Sequence, residues 1–180
     1  MIFFKKSLGF KSKAFFIKIN YLRFMPANIK DAIQQKKFRN VNHHAQINLI
    51  YTSNWLQNQI SKIFKKYGLS IQQYNVLRIL NGSHPNALKL NQIKSRMLDK
   101  MSDTSRIVER LRLSGYLTRV PSKEDRRESI ITISKKGLKL VEEMKVDETA
   151  MDQISKGLSA TETAQLCKLL DKFRQEEPNS

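Results

Sequence analysis

The residues best suited to chemistry lie between positions 97 and 137, and that chemistry is the gripping of a polyanion. Ser102, Ser105, Arg106, Glu109 and Arg112 project to one side of a helix, with Asp103 and Arg110 flanking them. Small hydroxyl residues in a first turn let the backbone come close to a surface. Helix-start amides and the macrodipole favour phosphate there. Arg106 and Arg110 can reach phosphate oxygens or the edge of guanine. Asp103 supports the helix start but repels phosphate unless it accepts from a cytosine amine. Next comes a hairpin whose tip is Ser122-Lys123-Glu124-Asp125-Arg126-Arg127. Arg126 and Arg127 have no structural task at a loop tip. A narrow minor groove, with its enhanced negative potential, attracts inserted arginines. Asp125 is spaced to hold the Arg127 guanidinium in a bidentate pair. The bland alternative is a solvated face on a core helix plus a soluble hairpin tip. Helix, hairpin and net charge together favour duplex DNA.

These side chains need a frame. Ile47, Ile50, Tyr51, Trp55, Leu56, Ile60, Ile63 and Phe64 recur at helical steps, which predicts one long helix from about Asn40 to Tyr67, ended by Gly68. Ser70 and Gln73 form a capping box for a second helix with Tyr74, Leu77 and Leu80 as its stripe. Asn81 to Pro85 reads as a loop. A short helix covers about Leu90 to Met97, with Lys89 a poor N-cap. After a turn at 98–100, a fourth helix starts near Ser102. It buries Thr104, Ile107, Val108 and Leu111 and ends at Gly115. Strand-like runs follow at Tyr116–Val120 and Ser129–Ser134. A helix from Lys135 to about Ile154 comes next. The Ser159–Glu162 capping box then opens a last helix striped by Leu166, Leu169, Leu170 and Phe173. The predicted class is mainly α with a small β-hairpin wing.

Composition narrows the partners. The 180 residues hold 33 Lys and Arg against 16 Asp and Glu, for a formal net charge of +17. An excess of that size selects nucleic acid or an anionic surface. It is uneven: residues 1–24 carry +6 with no acid, 25–88 carry +7, 89–136 carry +7 and 137–180 carry −3. The C-terminal part is therefore no nucleic-acid tail. Six of the nine phenylalanines fall in residues 1–24, interleaved with lysines. The expectation is that translation starts at Met25, which leaves +11. The rival readings are a disordered or DNA-touching arm and a membrane-surface helix. No apolar run is long enough to span a bilayer, and no stable membrane association is expected. The single cysteine, Cys167, excludes an intramolecular disulfide and any Cys-based zinc site. No metal site or cofactor is expected: adjacent His43 and His44 do not share a helix face, and no glycine-rich phosphate loop occurs. Three histidines and scattered carboxylates form no nucleophile–base or paired-carboxylate set, so no enzyme activity is expected.

The segment Met97 to Leu111 resembles the third-to-fourth helix region of the MarR family of bacterial transcription regulators. So do Gly115-Tyr116-Leu117-Thr118-Arg119, Lys123 to Ser129, and Ile133-Ser134-Lys135-Lys136-Gly137. The Asp-x-Arg of the family's wing falls on Asp125 and Arg127, and Leu158-Ser159 with Glu162 matches the start of its last helix. The likeness covers roughly residues 40–175. It implies a winged helix-turn-helix with N- and C-terminal dimerisation helices. The extension would be 1–24, the N-terminal dimerisation region 25–69, the DNA-binding lobe 70–136 and the C-terminal dimerisation helices 137–180. It implies a homodimer on double-stranded DNA, cytoplasmic and at the nucleoid when bound. The function implied is a ligand-responsive repressor at a pseudo-palindromic operator, read by Ser102, Ser105, Arg106, Arg110, Lys123, Arg126 and Arg127. Family ligands are small aromatics held between the dimer region and the lobe, which points to His43, Tyr51, Trp55 and Tyr74; plain core packing and surface histidines are the alternative. Some relatives sense oxidants through a first-helix cysteine, which is missing here; Cys167 lies in the last helix. Lys89, Lys94 and Leu113 depart from the family pattern. The competing function is a non-specific architectural nucleic-acid-binding protein.

Overall fold

The structure, a computed structural model, describes residues 28–122, 125 and 128–175. The chain divides into two compact units, 1–55 and 56–180. In the first, α1 (Ile29–Ala32) is capped by Asn28, whose side chain accepts from the Asp31 amide at 3.1 Å. Phe38 stacks on His44 with ring centroids 4.2 Å apart. Asn40 Oδ1 accepts from the His43 amide at 2.8 Å at the start of α2 (Val41–Lys65). That helix is the long one predicted from periodicity, and its C-terminal end belongs to the second unit.

The second unit holds the core. Gly68, at φ +66°, takes the left-handed conformation that ends the α2 region. The Ser70 capping box forms in both directions, at 2.8 and 3.1 Å, and starts α3 (Ile71–Asn81). Then follow β1 (Leu88–Lys89), α4 (Leu90–Arg96), α5 (Thr104–Leu113), β2 (Leu117–Pro121), β3 (Ser129–Ile133) and α6 (Lys135–Met144). A 3-10 turn at Lys145–Asp147 leads to α7 (Glu148–Asp152), and α8 (Ala160–Phe173) closes the described chain. The sheet is antiparallel in the order β1-β3-β2, with Leu117 opposite Ile133 and Pro121 opposite Ser129. The two-stranded hairpin of the prediction is thus a three-stranded sheet. β1 pairs only Leu88 and Lys89 with Ile131 and Ile130, too few residues to show an alternation. Phe64, Val76, Leu77, Leu80, Ile93, Met97, Val108, Leu111, Leu117, Ile131, Val141 and Met144 fill the interior. The protein is a mainly helical winged helix.

One predicted helix differs, and one forms as predicted but stays uncovered. The helix expected from Lys135 to Ile154 breaks at the 3-10 turn. There Asp147, 8% exposed, accepts from Lys66 Nζ and from Tyr67 OH, both at 2.6 Å. The apolar stripe of α8 lies open on the single chain: Leu166 is 43%, Leu169 56% and Phe173 54% exposed. Cys167 is exposed on the same helix.

Gly137 joins α6 to the sheet. A Cβ there would sit 2.1 Å from the Tyr116 carbonyl oxygen and 2.8 Å from Ile133 Cγ1. Gly137→Ala therefore has to move backbone and should lower stability by about 1–3 kcal/mol or more, read from urea unfolding midpoints. Hydrogen bonds from Lys66 and then Tyr67 hold the Asp147 carboxyl below its ordinary value. A carboxyl depressed in the folded state adds stability above its unfolded pKa and loses it as pH falls through the folded one. Wild type should therefore exceed Asp147→Asn most at neutral pH, and the gap should close in acid; urea melts across pH 3–7 measure it.

Candidate nucleic-acid interface

The candidate interface comprises α4, the turn after it, α5 and the wing. Ile93 and Met97 are buried and anchor α4 in the core. The turn that follows is set by polar contacts. The Leu98 amide donates to Asn75 Oδ1 of α3 at 2.9 Å. Asp99 accepts from the Met101 amide at 3.0 Å and from Ser102 Oγ at 2.7 Å. These bonds, Ser102's first, hold the Asp99 carboxyl below its usual range. Arg96 donates to Ser83 Oγ at 2.8 Å. Lys89 starts α4 without a side-chain cap; its amide donates to Gln92 Oε1 at 2.8 Å instead.

Helix α5 starts two residues later than predicted. Asp103 is its N-cap and accepts from the Arg106 amide at 3.0 Å. That answers the difficulty of an acid at this position: its carboxylate serves helix-start amides. Ser102 sits outside the helix, half-buried, its hydroxyl committed to Asp99. Thr104, Val108 and Leu111 are buried as predicted, with Ile107 half-buried. Ser105, Arg106 and Arg110 are exposed on the other side. Glu109 pairs with Arg112 through two bonds of 2.9 and 2.7 Å, so that acid is neutralised locally. The guanidinium groups of Arg106 and Arg110 have no hydrogen-bond or ionic partner among the described residues. Leu113 is 71% exposed at the helix end. Gly115, at φ +76°, turns the chain into the sheet.

The wing rises from β2 and β3. The Ser122 amide donates to the Glu128 carbonyl at 3.0 Å, and the Glu128 amide to the Asp125 carbonyl at 2.9 Å. Asp125 is exposed, and its amide donates to the buried Ser122 hydroxyl at 3.4 Å. Lys123, Arg126 and Arg127 lie outside the described residues. Lys89 and Glu128 form an ion pair that ties β1 to the wing's return strand. Arg119 Nε donates to Ser129 Oγ at 3.0 Å across β2 and β3.

The four residues chosen for a ligand pocket divide between the two units. His43, Tyr51 and Trp55 lie on α2 in the first, where His43 Nδ1 accepts from the Arg39 amide at 3.3 Å and Tyr51 is exposed. Tyr74 lies in the second, its ring 4.4 Å from that of buried Phe64. An open cavity of about 380 Å³ in the second unit is lined by Gln57, Ser61, Lys65, Leu69, Ile71 and Gln72 and includes none of the four. Among the described residues no three His, Cys, Asp or Glu side chains gather to hold a metal, and no helix is long and apolar enough to cross a membrane.

The sequence reading missed Asp99, Asn75 and β1. The Asp-x-x-Ser spacing of 99 and 102 is a turn signature that points to the first. Asn75 acts across 23 residues and leaves no local signal.

Residues 67–128 match the model of the MarR family. The transcriptional repressor IacR of Pseudomonas putida is 27% identical over 128 residues, 71% of this chain and 72% of its own. A MarR transcription factor from Planctomyces limnophilus superposes with a TM-score of 0.59 at 29% identity, over 75% of this chain and 98% of its own. MepR of S. aureus in its DNA complex gives 0.64 at 20% identity, over 71% and 94%. Because Asp103 caps α5, Asp103→Ala should cost about 1 kcal/mol of stability while Asp103→Asn costs little, measured by urea denaturation.

Proposed function

We propose that the chain is a winged-helix transcription regulator of the MarR family, whose model its residues 67–128 match, and that it is a sequence-specific repressor binding a pseudo-palindromic operator as a homodimer. One observation supports the reading: α5 carries two guanidinium groups, Arg106 and Arg110, without a hydrogen-bond or ionic partner among the described residues, on an exposed face whose other arginine, Arg112, is already paired to Glu109. An unpaired guanidinium is a cation ready for phosphate or for the O6 and N7 of guanine. Ser105 lets the backbone of α5 come close, and Arg126, Arg127 and Lys123 supply the wing's charge, with Asp125 orienting Arg127. Ser102 contributes through the turn it builds with Asp99. The open stripe of α8 and the negative charge of residues 137–180 suit a partner helix rather than DNA. Response to a small aromatic ligand would complete a ligand-responsive repressor. The compartment follows from the role: the cytoplasm, at the nucleoid.

The test is a gel shift of the protein on its own upstream intergenic DNA, with unrelated DNA as competitor, at two salt concentrations. A discrete complex that survives competitor and physiological salt supports the reading. Smeared binding that salt abolishes supports an architectural protein without sequence preference. Arg127→Ala should weaken specific binding by about 1–3 kcal/mol. If Arg106 contacts phosphate, Arg106→Ala should lower the salt slope by about one ion. Unchanged affinity in both variants would sink the assignment of these residues.

A further inference from the structure

The chain passes twice between the proposed DNA-binding lobe and the helices that flank it, and both crossings meet at one carboxylate. The first crossing is Lys66-Tyr67, between the end of α2 and the Ser70 cap of α3. The second is the 3-10 turn Lys145–Asp147, between α6 and α7. Asp147 Oδ1 accepts from Lys66 Nζ and Oδ2 from Tyr67 OH, each at 2.6 Å, so both oxygens are engaged by adjacent residues of the other crossing. Asp147 is buried, whereas Lys145 and Val146 beside it are exposed, so the carboxylate is the point of the turn that faces inward. Glu148, next in sequence, pairs with Arg78 of α3 and ties the second crossing to the lobe as well. Phe64 and Met144, three residues before each contact point, are fully buried. None of the clasp residues lies on α4, α5 or the wing.

We propose that Asp147 is a positioning residue. By tying the two crossings together it fixes how the lobe is carried on its dimerisation helices, and so the spacing at which two recognition helices meet two half-sites. This rests on the dimeric reading above. A charge-assisted pair of bonds to one buried carboxylate is short and directional, which suits it to holding an angle. A 3-10 stretch inside a helical run is a place where the axis can change direction, and the carboxylate sits at that place.

The experiment uses full-length wild type, Tyr67→Phe and Asp147→Asn. The DNA is a duplex selected from random sequence by the wild-type protein, together with the same duplex carrying one scrambled half-site and versions with one base pair added or removed at the centre. Circular dichroism confirms that each variant is folded. Tyr67→Phe removes one hydroxyl and keeps the ring, so the test stands even if Asp147→Asn does not fold. Both variants should lose roughly 5-fold or more on the two-site duplex, bind the single half-site as wild type does, and discriminate less against altered spacing. Equal losses on one and two half-sites would mean a merely structural role and would overturn the proposal, as would no loss in either variant. Wild type alone reports on the dimeric reading: if a second half-site adds nothing to its affinity, that reading fails and the positioning role falls with it.

Discussion

Burial of Thr104, Val108 and Leu111 along one stripe of α5 is the constraint on which the rest depends. With these three fixed inward, the 3.6-residue repeat leaves Ser105, Arg106 and Arg110 no choice but to face out. The stripe packs into a core filled by Val76, Leu77 and Leu80 of α3 and by Ile93 and Met97 around α4. Each large core side chain contributes roughly 2–5 kcal/mol against truncation. The outward face is held by packing that no exposed arginine could supply. The ends of α5 are fixed separately, by the Asp103 cap and the left-handed Gly115.

The polar framework around that stripe separates acids that shape the protein from cations that remain available. Asp99 is occupied by the turn, Asp103 by the helix start, Glu109 by Arg112 and Asp147 by Lys66 and Tyr67. Each acid's oxygens are engaged within the fold, and Glu109 and Asp147 are in addition paired with a cation. Among the described residues, the guanidinium groups of Arg106 and Arg110 have no hydrogen-bond or ionic partner. The basic excess of the sequence is thus sorted locally into structural pairs and free cations, which a net charge alone does not reveal.

Much of this was legible in the sequence because the informative signals were local. The Ser70–Gln73 and Ser159–Glu162 capping boxes form as their spacing requires, and the buried face of α5 is the one its periodicity selects. The failures are of another kind. Helix α5 begins two residues late because Ser102 is drawn into a turn by Asp99, a contact that competes with a helical start. The helix predicted to run to Ile154 breaks where Asp147 meets residues 80 positions away, and β1 exists only because β3 is there to pair with it. Apolar periodicity identifies the α8 stripe but not whether anything on the same chain covers it. Tyr74 reads equally well as core or as pocket, and its packing on Phe64 joins it to the core edge.

The most direct test of the central claim, that the exposed face of α5 lies against base edges, is photo-cross-linking from a photoreactive amino acid placed at Ser105. The position is exposed and carries no packing role. Cross-links to bases at two places about one helical turn apart, centred in the major groove, are what a dimer with α5 in each groove requires. Cross-links that scatter along any duplex without preference, or their absence while the protein stays bound, would contradict it.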